Sequence, residues 1–192
     1  MASQAHWMLA LLERLDVARV TVVAHDVGTA AAQLMAVNAP QRLRGLALLD
    51  GVYADNWAME AIHSIREWDP AQAQRLLPVL KRRVGKSEAL REMLSAYQGE
   101  DGGLRLIRAA RDLDPRQTAD IGERLRATGL PAAVLWGEQD DFLPIDGVGQ
   151  PLAELLGTTL VRLPGGHFTP LDCPREVADA LSTFVMSLPA DR

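Results

Sequence analysis

The 192-residue sequence lacks paired cysteines, a basic excess, long apolar runs and internal repeats. Its single cysteine, Cys173, excludes an internal disulfide and fits a reducing, cytoplasmic location. A formal net charge of −5 gives no basic surface for nucleic acid. No apolar run approaches the roughly 20 residues of a membrane-spanning helix, and the N-terminus has no signal-peptide pattern. We therefore expect neither nucleic acid nor membrane as a partner.

The most informative segment is Ala-His-Asp-Val-Gly-Thr at residues 24–29. It follows a β-branched run and precedes three alanines, which predicts a buried strand turning sharply into a helix with Asp26 at the apex. Small residues on both sides allow the strand and helix to approach closely. This is the pattern of a nucleophile elbow, a strained turn that exposes one reactive side chain above the sheet. The alternative is an ordinary polar turn, because Asp also favours turns and helix caps.

Two later segments carry an acid and a histidine at comparable places. Residues 130–140 form a short apolar strand, a glycine turn and Asp140, and residues 160–167 form a strand, a glycine turn and His167. Nucleophile, acid and base therefore follow one another along the chain, each just beyond the carboxyl end of a predicted strand. Ligands bind at those strand ends in open α/β sheets. The order and placement are those of an α/β-hydrolase triad.

On these motifs the chain resembles the α/β-hydrolase superfamily, in particular its Asp-nucleophile branch of epoxide hydrolases and dehalogenases. The matching segments are His25-Asp26-Val27-Gly28, Trp136-Gly137-Glu138-Gln139-Asp140, and Gly166-His167-Phe168 with the following Asp172-Cys173-Pro174-Arg175-Glu176-Val177. The resemblance implies an α/β fold: a partial α/β-hydrolase core with a mostly parallel sheet of about four strands flanked by helices, and a helical cap insertion. Residues 1–52 and 115–192 form the expected core, and residues 53–114 the expected cap or lid.

Apolar periodicity and turn residues set the expected elements within this frame. The predicted strands cover residues 20–24, 43–49, 131–136 and 159–163. The predicted core helices cover residues 2–15, 27–39, 117–126, 148–156 and 174–185. In the first helix, one apolar stripe is expected to comprise Ala5, Met8, Leu9, Leu12 and Leu15.

The resemblance also implies a role for each site residue. Asp26 attacks a saturated carbon and forms an alkyl-enzyme ester, and the backbone N–H of Val27 binds the oxyanion when water attacks that ester. His167 activates the water, and Asp140 orients the imidazole. Asp50, after the second strand, is the alternative acid, because some dehalogenases carry theirs there.

Substrate preference follows from fewer residues. Haloalkane and fluoroacetate dehalogenases place Trp or Arg after the nucleophile, and Val27 offers neither donor, so epoxide-hydrolase-like ring opening of a small apolar molecule is favoured over dehalogenase or esterase-like activity. Tyr53 and Tyr97 are candidate proton donors to the opened ring, with packing as the alternative. Trp57 is a candidate pocket residue or a packing residue. His25 is expected to bind substrate or to lie beneath the nucleophile as a hydrogen-bonding group.

No cofactor or metal is expected. The titratable residues lack the short spacings of metal ligands, and the turn after Asp26 lacks the glycine pattern of a dinucleotide site. Nothing in the sequence corresponds to the earlier strands of the family, or to its His-Gly loop that supplies a second oxyanion N–H. Three alternatives stay open: a hydrolase whose N-terminal part lies outside this sequence, a half-protein completed by an identical or different chain at the exposed edge of strand 20–24, and a non-catalytic interaction module.

Overall fold

The computed structural model describes residues 1–57, 59–73, 75, 92, 94–97, 99 and 101–189. The chain divides into two compact units, one formed by Met1–Trp57 with Pro115–Arg192 and the other by Ala58–Asp114. The first boundary therefore falls after residue 57 rather than after residue 52, which places Tyr53 and Trp57 in the larger unit. The part of the expected cap between residues 76 and 91 lies outside the described residues.

The larger unit is built on a parallel sheet, which confirms the predicted fold class. Its strands, in chain order and also in spatial order, are β1 (Val20–His25), β2 (Leu43–Leu49), β3 (Ala132–Gly137) and β4 (Leu160–Leu163). All three neighbouring pairs are parallel. Because parallel strands point the same way, the residues that follow them meet at one edge of the sheet, and that edge carries the candidate site.

The α-helices among the described residues are α1 (Ala2–Arg14), α2 (Gly28–Asn38), α3 (Met59–Glu67), α4 (Gly102–Asp112), α5 (Ile121–Ala127), α6 (Gln150–Leu156), α7 (Thr169–Asp172) and α8 (Pro174–Ser187). A π-helical turn, Ile145–Gly149, precedes α6, so the helix predicted from residue 148 begins irregularly. Pro174 occupies the first turn of α8, where its missing N–H costs no intrahelical bond.

The burial of the two central strands, β2 and β3, explains why their sequences are almost continuously hydrophobic. Six of the seven residues of β2 and five of the six residues of β3 are buried. They are Leu43, Gly45, Leu46, Ala47, Leu48 and Leu49 in β2, and Ala133, Val134, Leu135, Trp136 and Gly137 in β3. On one face, β-strand side chains pack against Val177, Ala180 and Phe184 of α8. Strands covered on both faces by helices have this composition.

The smaller unit contains α3, α4 and a 3-10 turn at Leu94–Tyr97. The helices are tied by Arg66 of α3, whose guanidinium donates to the carbonyl oxygen of Ala110 at 2.9 Å and to that of Leu113. Tyr97 is half-buried within this unit. No helix among the described residues has both the length and the apolar character needed to cross a membrane.

The larger unit exposes apolar side chains on β1 and on α1. Within the described chain β1 pairs only with β2, and Val23 on it is 48% exposed. In α1 the predicted apolar stripe is only partly covered, since Ala5 is buried whereas Met8 and Leu15 are exposed. Trp7 of the same helix is 68% exposed.

Candidate active site

Asp26 lies at the sharp turn between β1 and α2. Its backbone has φ +52°, a left-handed conformation that Asp tolerates better than most residues. The turn is held by the Asp26 carbonyl oxygen, which accepts from the Thr29 N–H at 3.0 Å and from the Thr29 hydroxyl at 2.7 Å. The carboxylate projects outward, with its side chain 40% exposed. The strained turn thus presents an accessible carboxylate at the carboxyl end of β1.

His167 is the buried centre of the site, with its side chain 7% exposed. Its Nδ1–H donates to Oδ2 of Asp140 at 3.0 Å, and its Nε2 lies 3.5 Å from Oδ1 of Asp26. The imidazole therefore stands between two carboxylates. Because a carboxylate only accepts, the Asp140 contact fixes a proton on Nδ1 and directs Nε2 towards Asp26.

Asp140 is held rigidly by its own loop. Its Oδ1 accepts from the N–H groups of Phe142 and Leu143 at 2.8 and 2.9 Å, which leaves Oδ2 for His167. The carbonyl oxygen of Leu143 accepts from the buried indole of Trp136 at 2.8 Å, so the tryptophan of the sequence motif anchors the loop. The adjacent Asp141 is exposed. Asp140, and not the alternative Asp50, is the acid that bonds to the imidazole.

The electrostatics of His167 follow from this placement. Burial alone lowers its pKa by disfavouring the imidazolium, but the hydrogen bonds and negative charges of Asp140 and Asp26 outweigh that effect and raise the pKa to about 9. The rings of Phe142 and Phe168 lie with their centroids 5.1 Å from the imidazole and shield it from water. At neutral pH the resting site therefore contains an imidazolium between two carboxylates.

The turns that carry Asp140 and His167 pack directly on one another at Gly137. A Cβ at this position would collide with the carbonyl oxygens of Gly166 and Gly165, so only glycine fits. The close approach allows the N–H of Gln139 to donate to the Gly165 carbonyl oxygen at 2.9 Å. We call residues 138–144, which carry Asp140, the acid loop, and residues 164–168, which carry His167, the base loop. The absence of a side chain at Gly137 lets these two loops approach closely enough for Asp140 and His167 to form a hydrogen bond.

Asp50 forms a second, fully buried carboxylate site below the first. One oxygen accepts from the N–H of Gly137 at 2.6 Å, and the other accepts from the hydroxyl of Thr169. Nε2 of His25 lies 4.0 Å from that second oxygen and donates to the carbonyl oxygen of His167 at 2.6 Å. Burial raises the pKa of Asp50 to about 6, although the Thr169 and Gly137 hydrogen bonds and the His25 charge act in the opposite direction.

Of three other residues predicted for the site, His25 and Val27 flank Asp26 in the larger unit, and Tyr97 lies in the smaller unit. The N–H of Val27 has no acceptor among the described residues and begins the turn into α2, as an oxyanion donor requires. His25 uses Nε2 on the backbone of His167, which matches a residue beneath the nucleophile; its substrate-binding role stays a prediction. Tyr97 lies in the smaller unit, and its role also stays a prediction.

Trp57 and Tyr53 make contacts of packing residues. Trp57 is 1% exposed, and its indole N–H donates to the Ala54 carbonyl oxygen and the Thr118 hydroxyl, so it has no surface for a substrate. The Tyr53 hydroxyl lies beside Gly122 of α5. Burial raises the pKa of Tyr53, and the charge of Glu123 raises it further. Tyr53 shares no hydrogen bond with the carboxylates or the imidazole of the site among the described residues.

Thr169 and the two phenylalanines beside His167 were missed by sequence reasoning. Thr169 is fully buried and is separated from Asp50 by 119 positions in the chain. Phe168 stands in the quoted histidine motif, and this adjacency was the available signal. Nothing in the sequence singled out Thr169 or Phe142. Among the described residues, no group of three His, Cys, Asp or Glu side chains could hold a metal ion.

Comparison with known proteins identifies the family of the chain. The alpha/beta hydrolase family matches residues 2–180. An uncharacterized protein of Mycobacterium tuberculosis is 28% identical over 213 residues, which cover 96% of this chain and 61% of that protein. A 2-hydroxy-6-oxononadienedioate/2-hydroxy-6-oxononatrienedioate hydrolase of Cupriavidus pinatubonensis is 26% identical over 155 residues, covering 71% of this chain and 51% of that enzyme.

Among solved structures, a hydrolase from Pseudomonas aeruginosa superposes with a TM-score of 0.69 at 25% identity, covering 94% of this chain and 70% of that one. The chain spans only part of the length of these proteins, 61% in the case of the mycobacterial relative. The family match covers residues 2–180, and the four-stranded parallel sheet is consistent with the fold of that family. The chain belongs to the alpha/beta hydrolase family.

Proposed function

We propose that this hydrolase acts through Asp26 as a nucleophile, forming a covalent ester with the substrate that a His167-activated water then hydrolyses. The supporting observation is a partly exposed carboxylate at the elbow, 3.5 Å from the imidazole Nε2 and next to the Val27 N–H. Asp140 keeps the imidazole oriented. A small apolar epoxide is the proposed substrate class. The alternatives are a halogenated substrate, as for a dehalogenase, and an ester, as for an esterase.

In the first step, a carboxylate oxygen of Asp26 attacks a ring carbon of the epoxide. A carbon–oxygen bond forms, the ring carbon–oxygen bond breaks, and the released alkoxide takes a proton from a hydroxyl donor or from water. This step needs no base. A protonated His167 is therefore compatible with a carboxylate nucleophile, whereas a hydroxyl nucleophile would need a neutral imidazole to take its proton.

The second step depends on the loss of the Asp26 charge. Once Asp26 is an ester, its anionic contribution to the pKa of His167 disappears, and only Asp140 still opposes the effect of burial. His167 then loses its proton more readily and can take one from water. The water oxygen attacks the ester carbonyl carbon, and the oxyanion lies at the Val27 N–H. On collapse the bond between that carbon and the substrate oxygen breaks, the leaving oxygen takes the proton back from His167, and the diol departs. The Asp26 carboxyl group then loses its proton to His167, which restores the carboxylate and the imidazolium.

Mass spectrometry of a His167→Gln variant tests the proposal. Without the imidazole, ester formation continues but ester hydrolysis stops, so incubation with styrene oxide should give one adduct per chain. Peptide mapping should place that adduct on Asp26.

The matched control is the double variant Asp26→Asn with His167→Gln, which should give no adduct at the elbow. An adduct on another carboxylate, or equal labelling of both variants, would refute Asp26 as the nucleophile. Labelling that accumulates equally in the wild-type protein would refute the role of His167 in hydrolysis.

We also propose that the open edge of β1 pairs with a strand from another polypeptide, either a second copy or a partner chain. Supporting this are the 48% exposure of Val23, the exposed Trp7 of α1, and the absence of Lys or Pro from β1 to discourage strand pairing. Analytical ultracentrifugation with hydrogen exchange at residues 20–24 tests it. A stable monomer whose β1 amides on the outer side exchange freely would refute it. The cytoplasmic location stays a prediction that rests on the single cysteine.

A further inference from the structure

The turn after β2 contains a buried carboxylate that the proposed reaction does not use. Asp50 is 0% exposed and adopts a left-handed φ of +39°. Burying a carboxylate is unfavourable unless its oxygens are hydrogen-bonded, and both of these are. Their donors are not neighbours in the chain: Gly137 ends β3, and Thr169 begins α7. Asp50 therefore connects segments that are distant in the chain, and its hydrogen bonds do not stabilise its own turn alone.

Each partner of Asp50 belongs to a segment that carries one member of the site. Gly137 lies three residues before Asp140, and its N–H bonds to Asp50 at 2.6 Å. Thr169 lies two residues after His167 and is fully buried. One carboxylate thus joins the acid loop to the base loop.

The nucleophile turn is joined to the same network through His25. His25 immediately precedes Asp26, and its Nε2 lies 4.0 Å from Asp50. That nitrogen also donates to the backbone carbonyl oxygen of His167 at 2.6 Å, and because a carbonyl only accepts, the proton is on Nε2. The elbow and the base loop are therefore tied by a side chain that sits beside the buried carboxylate.

We infer that Asp50 is a positioning residue that holds the acid loop and the base loop of the site in register, with Thr169 as its essential partner. The inference deepens the proposed function and rests on the same site. The Nδ1–Oδ2 bond between His167 and Asp140 is 3.0 Å long, and a small displacement of either loop would lengthen it. Catalytic groups need such positional support from residues behind them.

Removal of the Thr169 hydroxyl tests the inference without changing any charge. Thr169→Val keeps the shape of the side chain but leaves one oxygen of Asp50 without its donor. In the full chain, without substrate, the pKa of His167 is read from histidine ring signals by NMR. We expect its proton affinity to fall about tenfold or more, which is about one pKa unit, because a looser contact with Asp140 leaves burial less opposed.

Two further variants separate positioning from general stability. Thr169→Ser keeps the hydroxyl and should restore the wild-type titration of His167. Asp172→Asn is the matched control, since the carboxylate of Asp172 accepts from the Gly166 N–H and, within the part of the chain that the structure describes, makes no hydrogen bond to the acid loop; this variant should also titrate like the wild type. A wild-type titration in Thr169→Val, or equal losses in Thr169→Ser and Asp172→Asn, would overturn the inference.

Asp50→Asn provides a second measurement that does not depend on the folding of Thr169→Val. An asparagine amide can accept from Gly137 and donate to the Thr169 oxygen, so the fold should survive with weaker, neutral bonds. The Nδ1 proton of His167 should then exchange with water several-fold faster than in the wild type. Unchanged exchange would overturn the inference. The titration and exchange measurements use no substrate, so they do not depend on the nucleophile. If Asp26 formed no adduct with styrene oxide, the proposed function would be refuted, but the inference about Asp50 would not.

Discussion

Asp26 and Asp50 occupy nearly equivalent places in the fold and have opposite environments. Each follows the last residue of its strand, β1 or β2, and these strands are paired in register. Each has a positive φ, +52° for Asp26 and +39° for Asp50. Yet the side chain of Asp26 is 40% exposed beside His167, whereas that of Asp50 is 0% exposed between Gly137 and Thr169.

The comparison shows that a strand-end carboxylate acquires its role from what surrounds it. Asp26 has no donor on its carboxylate other than the imidazole among the described residues, so its oxygens remain available to attack a substrate. Asp50 has both oxygens occupied by neutral donors, and burial raises its pKa to about 6. The two carboxylates thus share a positive φ and differ in their exposure and in their hydrogen-bond partners.

The largest expected difference between the two carboxylates is in ester formation. In a His167→Gln background, adding Asp26→Asn should reduce the rate of styrene oxide labelling by about 10³-fold or more, since the nucleophile is lost. Adding Asp50→Asn should reduce it by no more than about tenfold, because the side chain only positions other groups. Time-resolved intact mass spectrometry measures both rates. Equal losses would show that the two aspartates do not have different roles.

The second difference concerns the charge of His167. The pKa of this residue is raised from 6.5 to about 9 in the folded protein, so its contribution to stability is complete below about pH 6.5 and is lost as the pH rises through 9. The loss amounts to about 3 kcal/mol, at 1.36 kcal/mol per pKa unit. Asp26→Asn should lower that pKa by about one unit or more and shrink the alkaline loss of stability.

Urea unfolding at pH 6.5 and pH 9 checks this prediction, together with NMR titration of the histidine ring. Asp141→Asn, which removes an exposed carboxylate next to Asp140, is the matched control and should behave like the wild type. If Asp26→Asn leaves the pKa of His167 unchanged, the imidazole and the nucleophile are not in contact in solution.

A third difference of similar size should appear at acid pH. The pKa of Asp50 is raised from 3.8 to about 6, so the folded protein holds this proton more tightly than the unfolded chain does. Stability should therefore fall as the pH rises from about 4 to about 6, by about 3 kcal/mol from this group. The titratable groups facing Asp50 are His25 from β1, Asp140 from the acid loop and Cys173 after α7.

Asp50→Asn should remove this fall, so its stability relative to the wild type should rise between pH 4 and pH 6. Urea unfolding across that range measures the difference, and groups common to both proteins cancel in it. Asp16→Asn is the control, because Asp16 also has a positive φ, +52°, but is exposed. Parallel pH curves for Asp50→Asn and the wild type would show that Asp50 is ionised in the folded protein throughout this range.

The sequence predicted the fold well because its strongest signals are local. The run at Leu43–Leu49 matches β2 at both ends, and the elbow pattern places Asp26 directly after β1. The stripe in α1 was less accurate, because Met8 and Leu15 fit the helical period yet are exposed. Periodicity identifies an apolar face but does not say which part of it is covered.

The parts of the site that sequence reasoning missed depend on distant contacts. Asp50 follows a strand as Asp26 does, but its buried environment depends on partners that are distant in the chain, the N–H of Gly137 and the hydroxyl of Thr169, 119 positions away. Trp57 looked like a pocket residue because an indole suits apolar ligands, but Thr118 accepts its N–H in the core. Such pairings arise from tertiary packing, which neither residue type nor spacing encodes.

The smallest expected effect comes from disturbing Asp50 through its other partner. Gly137→Ala would add a Cβ that collides with the carbonyl oxygens of Gly166 and Gly165 and would push the acid and base turns apart. We expect a loss of about 1–3 kcal/mol in the free energy of unfolding, the usual result of overpacking, and a lower pKa of His167. Gly157→Ala is the control, because its added Cβ meets no atom within 4 Å although its φ is +63°. It should lose stability through backbone strain while His167 titrates normally. If both alanine variants leave His167 unchanged, the contact between the two turns does not set the geometry of the site.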